Sequence, residues 1–228
     1  DGMEIMTNTP AIQKARKLNL ELMLSDHDMS CLSCDKSGKC ELQKYCKEYG
    51  VTDVNHFAGV KNEFEVEEST PYIVRDNNKC ILCRRCAAVC KHNQGVGVIG
   101  ANDRGFDTHI GCAFEKTLGE SACINCGQCI VACPTGALTE KDDTSRVWEA
   151  LQDPTKHVAI CAAPSVRATL GECFGMAPGN DVEGKMVAAM KRLGFSGVYN
   201  MNLTADLTIM EEGTELLHHL KEEPGQPM

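Results

Sequence analysis

Cysteine is the feature of this sequence that most constrains its fold. Fifteen of the 228 residues are cysteines, against one Trp and four Tyr, and an average globular chain carries far fewer cysteines. The opening Asp1-Gly2-Met3-Glu4 has neither a basic region nor an apolar run, so it does not read as a secretory signal peptide. We therefore expect a cytoplasmic location, where clustered cysteines are metal ligands or free thiols rather than disulfides.

Charge and hydropathy exclude two classes of partner. The chain has 23 Lys and Arg against 32 Asp and Glu, a net charge of −9, whereas nucleic acids and anionic membranes are bound mainly through Lys and Arg. Its apolar runs are only a handful of residues long, short of the ~20 residues that a membrane helix needs. The apolar fraction of 43% is enough to bury at least one core. We expect no nucleic-acid partner and no membrane partner.

Two cysteine-rich blocks form an internal repeat at an offset of 43 residues. The blocks are Cys80-x2-Cys83-x2-Cys86-x3-Cys90 and Cys123-x2-Cys126-x2-Cys129-x3-Cys133-Pro134. In this spacing three thiolates surround one cubane 4Fe-4S cluster and the fourth cysteine of each block reaches the other cluster. Zinc sites, the alternative, usually use two separated Cys-x2-Cys pairs. The repeat predicts one cluster on Cys80, Cys83, Cys86 and Cys133, and another on Cys90, Cys123, Cys126 and Cys129.

A third group of candidate ligands precedes the repeat. Three cysteines follow the spacing Cys31-x2-Cys34-x5-Cys40, and His27 lies four residues before the first of them. Because imidazole can replace a thiolate on iron, we expect His27 to complete a third 4Fe-4S site. A zinc site with three Cys and one His remains open on chemistry. Completion by Cys46 or by water, with His27 at the surface, remains open as well.

The other cysteines and histidines lack ligand spacing. Eleven cysteines and His27 supply twelve donors, which is enough for three clusters of four ligands. Isolated free cysteines are commonly small buried hydrophobes. We expect that role for Cys46, Cys112, Cys161 and Cys173. We expect structural roles for His56, His92, His109 and His157.

Apolar periodicity and turn residues divide the chain into segments. A helix capped at Thr9-Pro10 is predicted to about Ser25, and a second over 41–49. Residues 51–71 are polar and acidic, which predicts a linker or a wrapped surface segment. After residue 141, helices are predicted over 145–151, 165–174, 182–193 and 204–220, and strands over 157–162 and 197–201. This alternation favours a βαβ unit with parallel strands. We expect an α+β chain: a cluster domain with linker over 1–70, a ferredoxin-like domain with two 4Fe-4S clusters over 71–142, and a partial α/β domain over 143–228.

Several motifs resemble those of one enzyme family. The segment His27-Asp28-x2-Cys31-x2-Cys34-x5-Cys40-Glu41-Leu42-Gln43 resembles the cluster segment with one His and three Cys ligands of FeFe hydrogenases, of the large iron-sulfur subunit of respiratory complex I and of NAD-linked formate dehydrogenases. The motifs at 162–168, 171–172 and 205–216 resemble the start of the hydrogen-activating domain of FeFe hydrogenases. The chain is therefore similar to a FeFe hydrogenase catalytic subunit of the NADH-linked, electron-bifurcating, multi-subunit type.

This resemblance implies an electron relay between redox partners and a hydrogen-activating H-cluster outside the chain. The partners implied are flavin- and NAD(P)-binding subunits, iron-sulfur subunits and ferredoxin. The full-length protein is expected to add a 2Fe-2S cluster before Asp1 and the H-cluster ligands after Pro227-Met228, so no catalytic residue is assigned in this segment. As part of a truncated domain, the helix with Val182, Met186, Val187 and Met190 is expected to expose its apolar face. The alternative is a non-catalytic subunit that only wires partner modules of an NADH-linked complex.

Overall fold

The computed structural model of the chain describes residues 2–222 and 225, so the expectations on Asp1 and Pro227-Met228 lie outside the described residues. The chain divides into two compact units, Asp1–Lys141 and Asp142–Met228. In the described ranges, the first unit combines helices with two two-stranded sheets and the second combines helices with one. Among the described residues, no helix has both the length and the apolar character required to cross a membrane.

The first unit begins with two helices, both close to their predicted positions. Helix α1 spans Pro10–Ser25, and its N-terminus is capped by Thr9, whose hydroxyl oxygen accepts a hydrogen bond from the backbone N–H of Ile12 at 3.4 Å. Pro10 occupies the first turn, where its missing N–H costs nothing. A single 3₁₀ turn, Cys31–Ser33, leads to α2, Glu41–Glu48. The cysteine-rich segment between α1 and α2 is otherwise irregular.

The repeated blocks fold between two short antiparallel sheets. Strand β1, Ile73–Arg75, pairs with β4, Leu138–Glu140, and β2, Gly100–Asn102, pairs with β3, His109–Gly111. The first block carries the short helix α3, Arg85–Ala88, which continues into a π-helix at Val89–Asn93, and the second block carries α4 at Gln128–Ala132. The core consists of the buried residues Ile73, Cys86, Ile99, Ile110, Cys112, Leu118, Cys129, Cys133, Ala137 and Leu138.

The second unit contains the predicted parallel strand pair. Its elements are α5 Thr144–Gln152, β5 Ala159–Ala162, α6 Pro164–Thr169, α7 Glu183–Leu193, β6 Gly197–Asn200 and α8 Met201–Glu222. Strands β5 and β6 are parallel, in the register Ala159↔Gly197 to Ala162↔Asn200. The helix predicted over 165–174 is two pieces, because after Thr169 the chain tightens into a 3₁₀ helix, Leu170–Phe174.

The expectation for the apolar face of α7 is wrong. Val182 and Met186 are only 5% and 7% exposed. Val182 packs on Gly171, where an added Cβ would lie 3.2 Å from the Val182 side chain, and Met186 lines a cavity with Val198 and Tyr199. Among the described helices of this unit, α8 exposes the largest number of large apolar side chains. They are Leu203, Leu207, Ile209, Met210, Leu216, Leu217 and Leu220.

Candidate metal centres

Each of the two predicted ligand sets of the repeat lines one cavity. One cavity is bordered by Cys80, Cys83, Cys86 and Cys133. A second cavity is bordered by Cys90, Cys123, Cys126 and Cys129. We call these the first and second repeat cavities. In both, the last cysteine of one block joins the first three of the other, so the chain crosses between the blocks.

The backbone of both blocks curls around its cavity in the same way. Leu82 and Asn125 have φ of 53° and 54°, and Arg84 and Gly127 have φ of 60° and 71°. Members of each pair are separated by the repeat offset of 43 residues. For a residue other than glycine this left-handed conformation costs on the order of 1 kcal/mol and persists only where its surroundings impose it. Both loops therefore share one bent path that turns three thiols inward.

The chemistry of these thiols fits a bound metal cluster. Burial raises the pKa of Cys80, Cys86 and Cys129 to about 11, since a thiolate without a cation is disfavoured away from water. All fifteen cysteines of the chain are free thiols. Four soft donors around a largely apolar cavity would hold a 4Fe-4S cluster, whose iron would offset the cost of burying the thiolates.

The third predicted ligand set lines a separate cavity in the same unit. This cavity is bordered by His27, Cys31, Cys34, Cys40 and also Cys46. We call it the histidine cavity. His27 is 7% exposed, and its Nδ1 is buried without a hydrogen-bond partner. Because such a nitrogen is costly unless another group binds it, the ring is open to a metal ion or a water. Burial also lowers the pKa of His27, which keeps the imidazole neutral, the form that ligates metals.

Two lysines and two aspartates influence the pKa of His27. Lys61 and Lys79 lower its pKa, whereas Asp28 and Asp76 raise it. The Lys61 ammonium donates to the His27 carbonyl oxygen at 2.8 Å. Two cations and two anions nearly balance, so the charge of a metal site here would be decided by its own ligands.

The histidine cavity and the first repeat cavity share a wall. Pro134, Thr135 and Ala137 border the first repeat cavity, while Gly136 borders the histidine cavity. A Cβ at Gly136 would lie 2.5 Å from the Cys34 Sγ, so the absence of a side chain permits this close approach. The backbone N–H of Glu41 donates to the Pro134 carbonyl at 3.0 Å.

The expectation of buried roles for the four other cysteines holds for only one of them. Cys112 is 2% exposed and belongs to the core. Cys46 is half-buried and borders the histidine cavity, where burial raises its pKa. Cys161 and Cys173 are exposed, because β5 turns Cys161 to its open side and Cys173 lies in the exposed part of the Leu170–Phe174 helix.

One polar cluster was missed by the sequence reasoning, which left His109 structural. Asp103, His109 and Glu115 bring one ligand atom each within 4.8 Å of one another. Their spacing of six residues matches no metal motif. The β2–β3 pairing brings them together, and that pairing has no signal in the positions of these three residues.

Comparison with known families accounts for three segments of the chain. Residues 16–55 match the NADH-ubiquinone oxidoreductase-G iron-sulfur binding region, and residues 70–139 match the ferredoxin-like domain of NADH-quinone oxidoreductase subunit 3. Residues 156–228 match the C-terminal domain of the iron only hydrogenase large subunit. The resemblance to the iron hydrogenases is confirmed.

Individual relatives agree with these matches. The chain is 46% identical over 220 residues to the NADP-reducing hydrogenase subunit HndD of Solidesulfovibrio fructosivorans. The aligned region covers 96% of this chain and 37% of that relative. It is 38% identical over 228 residues to iron hydrogenase 1 of Clostridium pasteurianum, covering all of this chain and 40% of that protein. The chain thus spans less than half the length of these relatives.

One solved structure shares the fold over much of the chain. It is described as an NAD+-reducing [NiFe]-hydrogenase in the H2-reduced state, with a TM-score of 0.57 and 26% sequence identity. The match covers 61% of this chain and 59% of that one. Iron-sulfur electron-transfer domains of this kind are therefore common to hydrogenases and to the NADH-quinone oxidoreductase G subunits.

Proposed function

We propose that this chain is the iron-sulfur electron relay of the catalytic subunit of an iron hydrogenase. The observation that carries the proposal is that three sets of four donors, each predicted from spacing, border three different cavities. When bound, 4Fe-4S clusters supply one-electron storage at potentials set by ligands and surroundings. The residues of this chain would hold those clusters and fix their order. The proposed domains are residues 1–70, 71–142 and 143–228.

The proposed order of the relay follows from shared walls. The histidine cavity adjoins the first repeat cavity through the Pro134–Ala137 segment. The first and second repeat cavities are linked by the crossed cysteines Cys90 and Cys133, and the Cys86 and Cys129 thiols are close enough to interact electrostatically. Electrons would therefore pass along a line of three sites with the Cys80 set in the middle.

Partners and further cofactors belong to the proposal for the whole protein. A relative named as NADP-reducing and a structure described as NAD+-reducing support an NAD(P)-binding partner subunit. The proposal adds flavin-binding and iron-sulfur partner subunits, and ferredoxin as a second carrier in an electron-bifurcating complex. We place a 2Fe-2S cluster and the H-cluster in the full-length protein. Fifteen free thiols favour the reducing cytoplasm.

The test is hydrogen turnover coupled to methyl viologen, measured on the matured full-length gene product and on residues 1–228. We expect turnover by the full-length protein and none by the segment, which reduces and reoxidises its clusters only. Cys126→Ser, which removes an exposed thiol of the second repeat cavity, should slow turnover, because a 4Fe-4S cluster needs four ligands. Cys173→Ser, which removes an exposed thiol without ligand spacing, is the matched control. Equal activity of the two variants would refute the relay.

A second candidate function is that of a non-catalytic subunit that only transfers electrons between partner modules. It is favoured by the 31% identity over 219 residues to the NADH-ubiquinone oxidoreductase 75 kDa subunit of Reclinomonas americana, which covers 93% of this chain. Under this reading the matured full-length protein transfers electrons between viologen and a partner subunit but turns over no hydrogen. Hydrogen turnover by the full-length protein excludes it.

A further inference from the structure

A buried arginine borders the first repeat cavity without using all of its hydrogen-bond donors. Arg75 is only 8% exposed, and it is one of the residues that border this cavity. Its Nε and Nη1 are both buried without a hydrogen-bond partner. Because buried donors are nearly always paired, two such N–H groups on one side chain need an acceptor beside them.

The backbone and a counter-ion hold this arginine in place. Strand β1 sets Arg75 opposite Leu138 of β4, and an isolated bridge joins Arg75 to Glu67. The Arg75 Nη2 lies 3.0 Å from the Glu67 Oε2. The other carboxylate oxygen, Oε1, accepts from the Leu118 backbone N–H at 2.9 Å and from the Ser69 hydroxyl. Glu67 borders none of the three cavities.

The Cys112 thiol also lies beside the guanidinium, and it does not neutralise the cation. Burial raises the pKa of Cys112, and the positive charge of Arg75 opposes that rise, so the two side chains are close together. A neutral thiol is only a weak acceptor, whereas arginine stays charged when it is buried. Of the Glu67–Arg75 ion pair, only the cation borders the cavity.

The charges around the two repeat cavities differ, although their sets of four cysteines are alike. Arg75 and Arg84 border the first repeat cavity. Of the described residues that border the second repeat cavity, none is Lys, Arg, His, Asp or Glu. At the repeat offset of 43 residues, the counterpart of Arg75 is Leu118. With the same ligands on both clusters, a difference in reduction potential has to come from the surroundings.

We propose that Arg75 raises the reduction potential of the cluster in the first repeat cavity above that of the cluster in the second. This inference rests on the proposed relay, in which the first repeat cavity is the middle site. The free N–H groups of Arg75 would donate to sulfur atoms of that site. Reduction adds one negative charge, which a nearby cation stabilises. An electron that enters the relay would therefore be held at the middle site before it passes on.

The test is a redox titration of the anaerobic full-length protein with its clusters loaded, followed by electron paramagnetic resonance. Iron content is measured in parallel, and the middle cluster is the one whose signal changes in Cys83→Ser. The variants are Arg75→Gln, Glu67→Gln and Arg75→Lys, which keeps the charge. The control is Arg104→Gln, at an exposed arginine that borders none of the three cavities.

The two partners of the ion pair should shift the potential in opposite directions. A unit charge within about 10 Å, at an effective dielectric constant of about 20, changes the equilibrium constant for reduction roughly tenfold, or about 59 mV for a one-electron couple. We expect Arg75→Gln to lower the potential of the middle cluster by about this amount. Glu67→Gln should raise it, because the cation is then uncompensated. Arg75→Lys should retain most of the wild-type potential, and Arg104→Gln all of it.

Opposite shifts distinguish a charge effect from loosened packing, which has no reason to reverse its sign between the two partners. If Arg75→Gln fails to assemble its clusters, the double variant Arg75→Gln with Glu67→Gln replaces it, and its potential should lie below that of Glu67→Gln alone. Unshifted potentials in these variants, with full iron content, would overturn the inference and leave the relay intact. An unchanged spectrum and iron content in Cys83→Ser would refute the relay itself, and the inference with it.

Discussion

Replacing His27 with cysteine should lower the reduction potential of one cluster and leave the other two unchanged. The variant replaces the neutral imidazole of His27 with a thiolate. Residue 27 is buried, with an exposed fraction of only 7%. The surrounding Lys61 and Lys79 are balanced by Asp28 and Asp76, so the new negative charge is not compensated. Additional negative charge disfavours the reduced state, and the potential must therefore fall.

The size of the shift follows from Coulomb's law. At about 4 Å and an effective dielectric constant of about 20, one unit charge contributes about 4 kcal/mol, or on the order of 170 mV for a one-electron couple. The assay is a redox titration followed by electron paramagnetic resonance, with iron content measured in parallel. His56→Cys, at an exposed histidine, is the control and should shift nothing. A shift below about 30 mV in His27→Cys, with full iron content, would show that His27 is not a ligand.

Two further predictions concern stability and cluster loss. Glu67→Gln should lower the free energy of unfolding by about 3–5 kcal/mol, because it leaves the buried guanidinium of Arg75, which lies 3.0 Å from the carboxylate, without its ion pair. Denaturant unfolding of the holoprotein measures this change, with Glu68→Gln at an exposed position as the control. A loss under about 1 kcal/mol would contradict the prediction. Removal of iron by a chelator should become faster as pH falls, because the released thiols of Cys80 and Cys129, with pKa of about 11, take up protons. The loss of visible absorbance measures the rate of cluster removal. A rate that is independent of pH would contradict this prediction.

Elements whose ends or pairing depend on neighbouring residues were predicted from the sequence. Helix α1 begins where Thr9 and Pro10 supply a cap and a first-turn proline, and α7 ends at Gly194 in the left-handed conformation. The parallel pairing of β5 and β6 follows from the alternation of strands and helices. The grouping of the cysteines was predictable because short spacings restrict which thiols can face one cavity.

Features that depend on distant contacts were not predictable. Val182, expected to be exposed, is buried on Gly171, eleven positions earlier in the chain. The larger set of exposed apolar side chains lies on α8. The Glu67–Arg75 ion pair and the Asp103, His109 and Glu115 group arise from chain pairing. Neither has a periodicity that the sequence could reveal.

Iron and acid-labile sulfide per chain test the central claim most directly. Three sets of four donors predict about twelve irons and twelve sulfides in anaerobically purified protein, at four of each per cluster. About eight irons would show that the histidine cavity holds no cluster. Stoichiometric zinc, with no sulfide at the His27 ligand set, would show that this set binds zinc instead of a cluster. Twelve of each, falling to about eight in Cys34→Ser and remaining at twelve in Cys173→Ser, is the result that the three cavities predict.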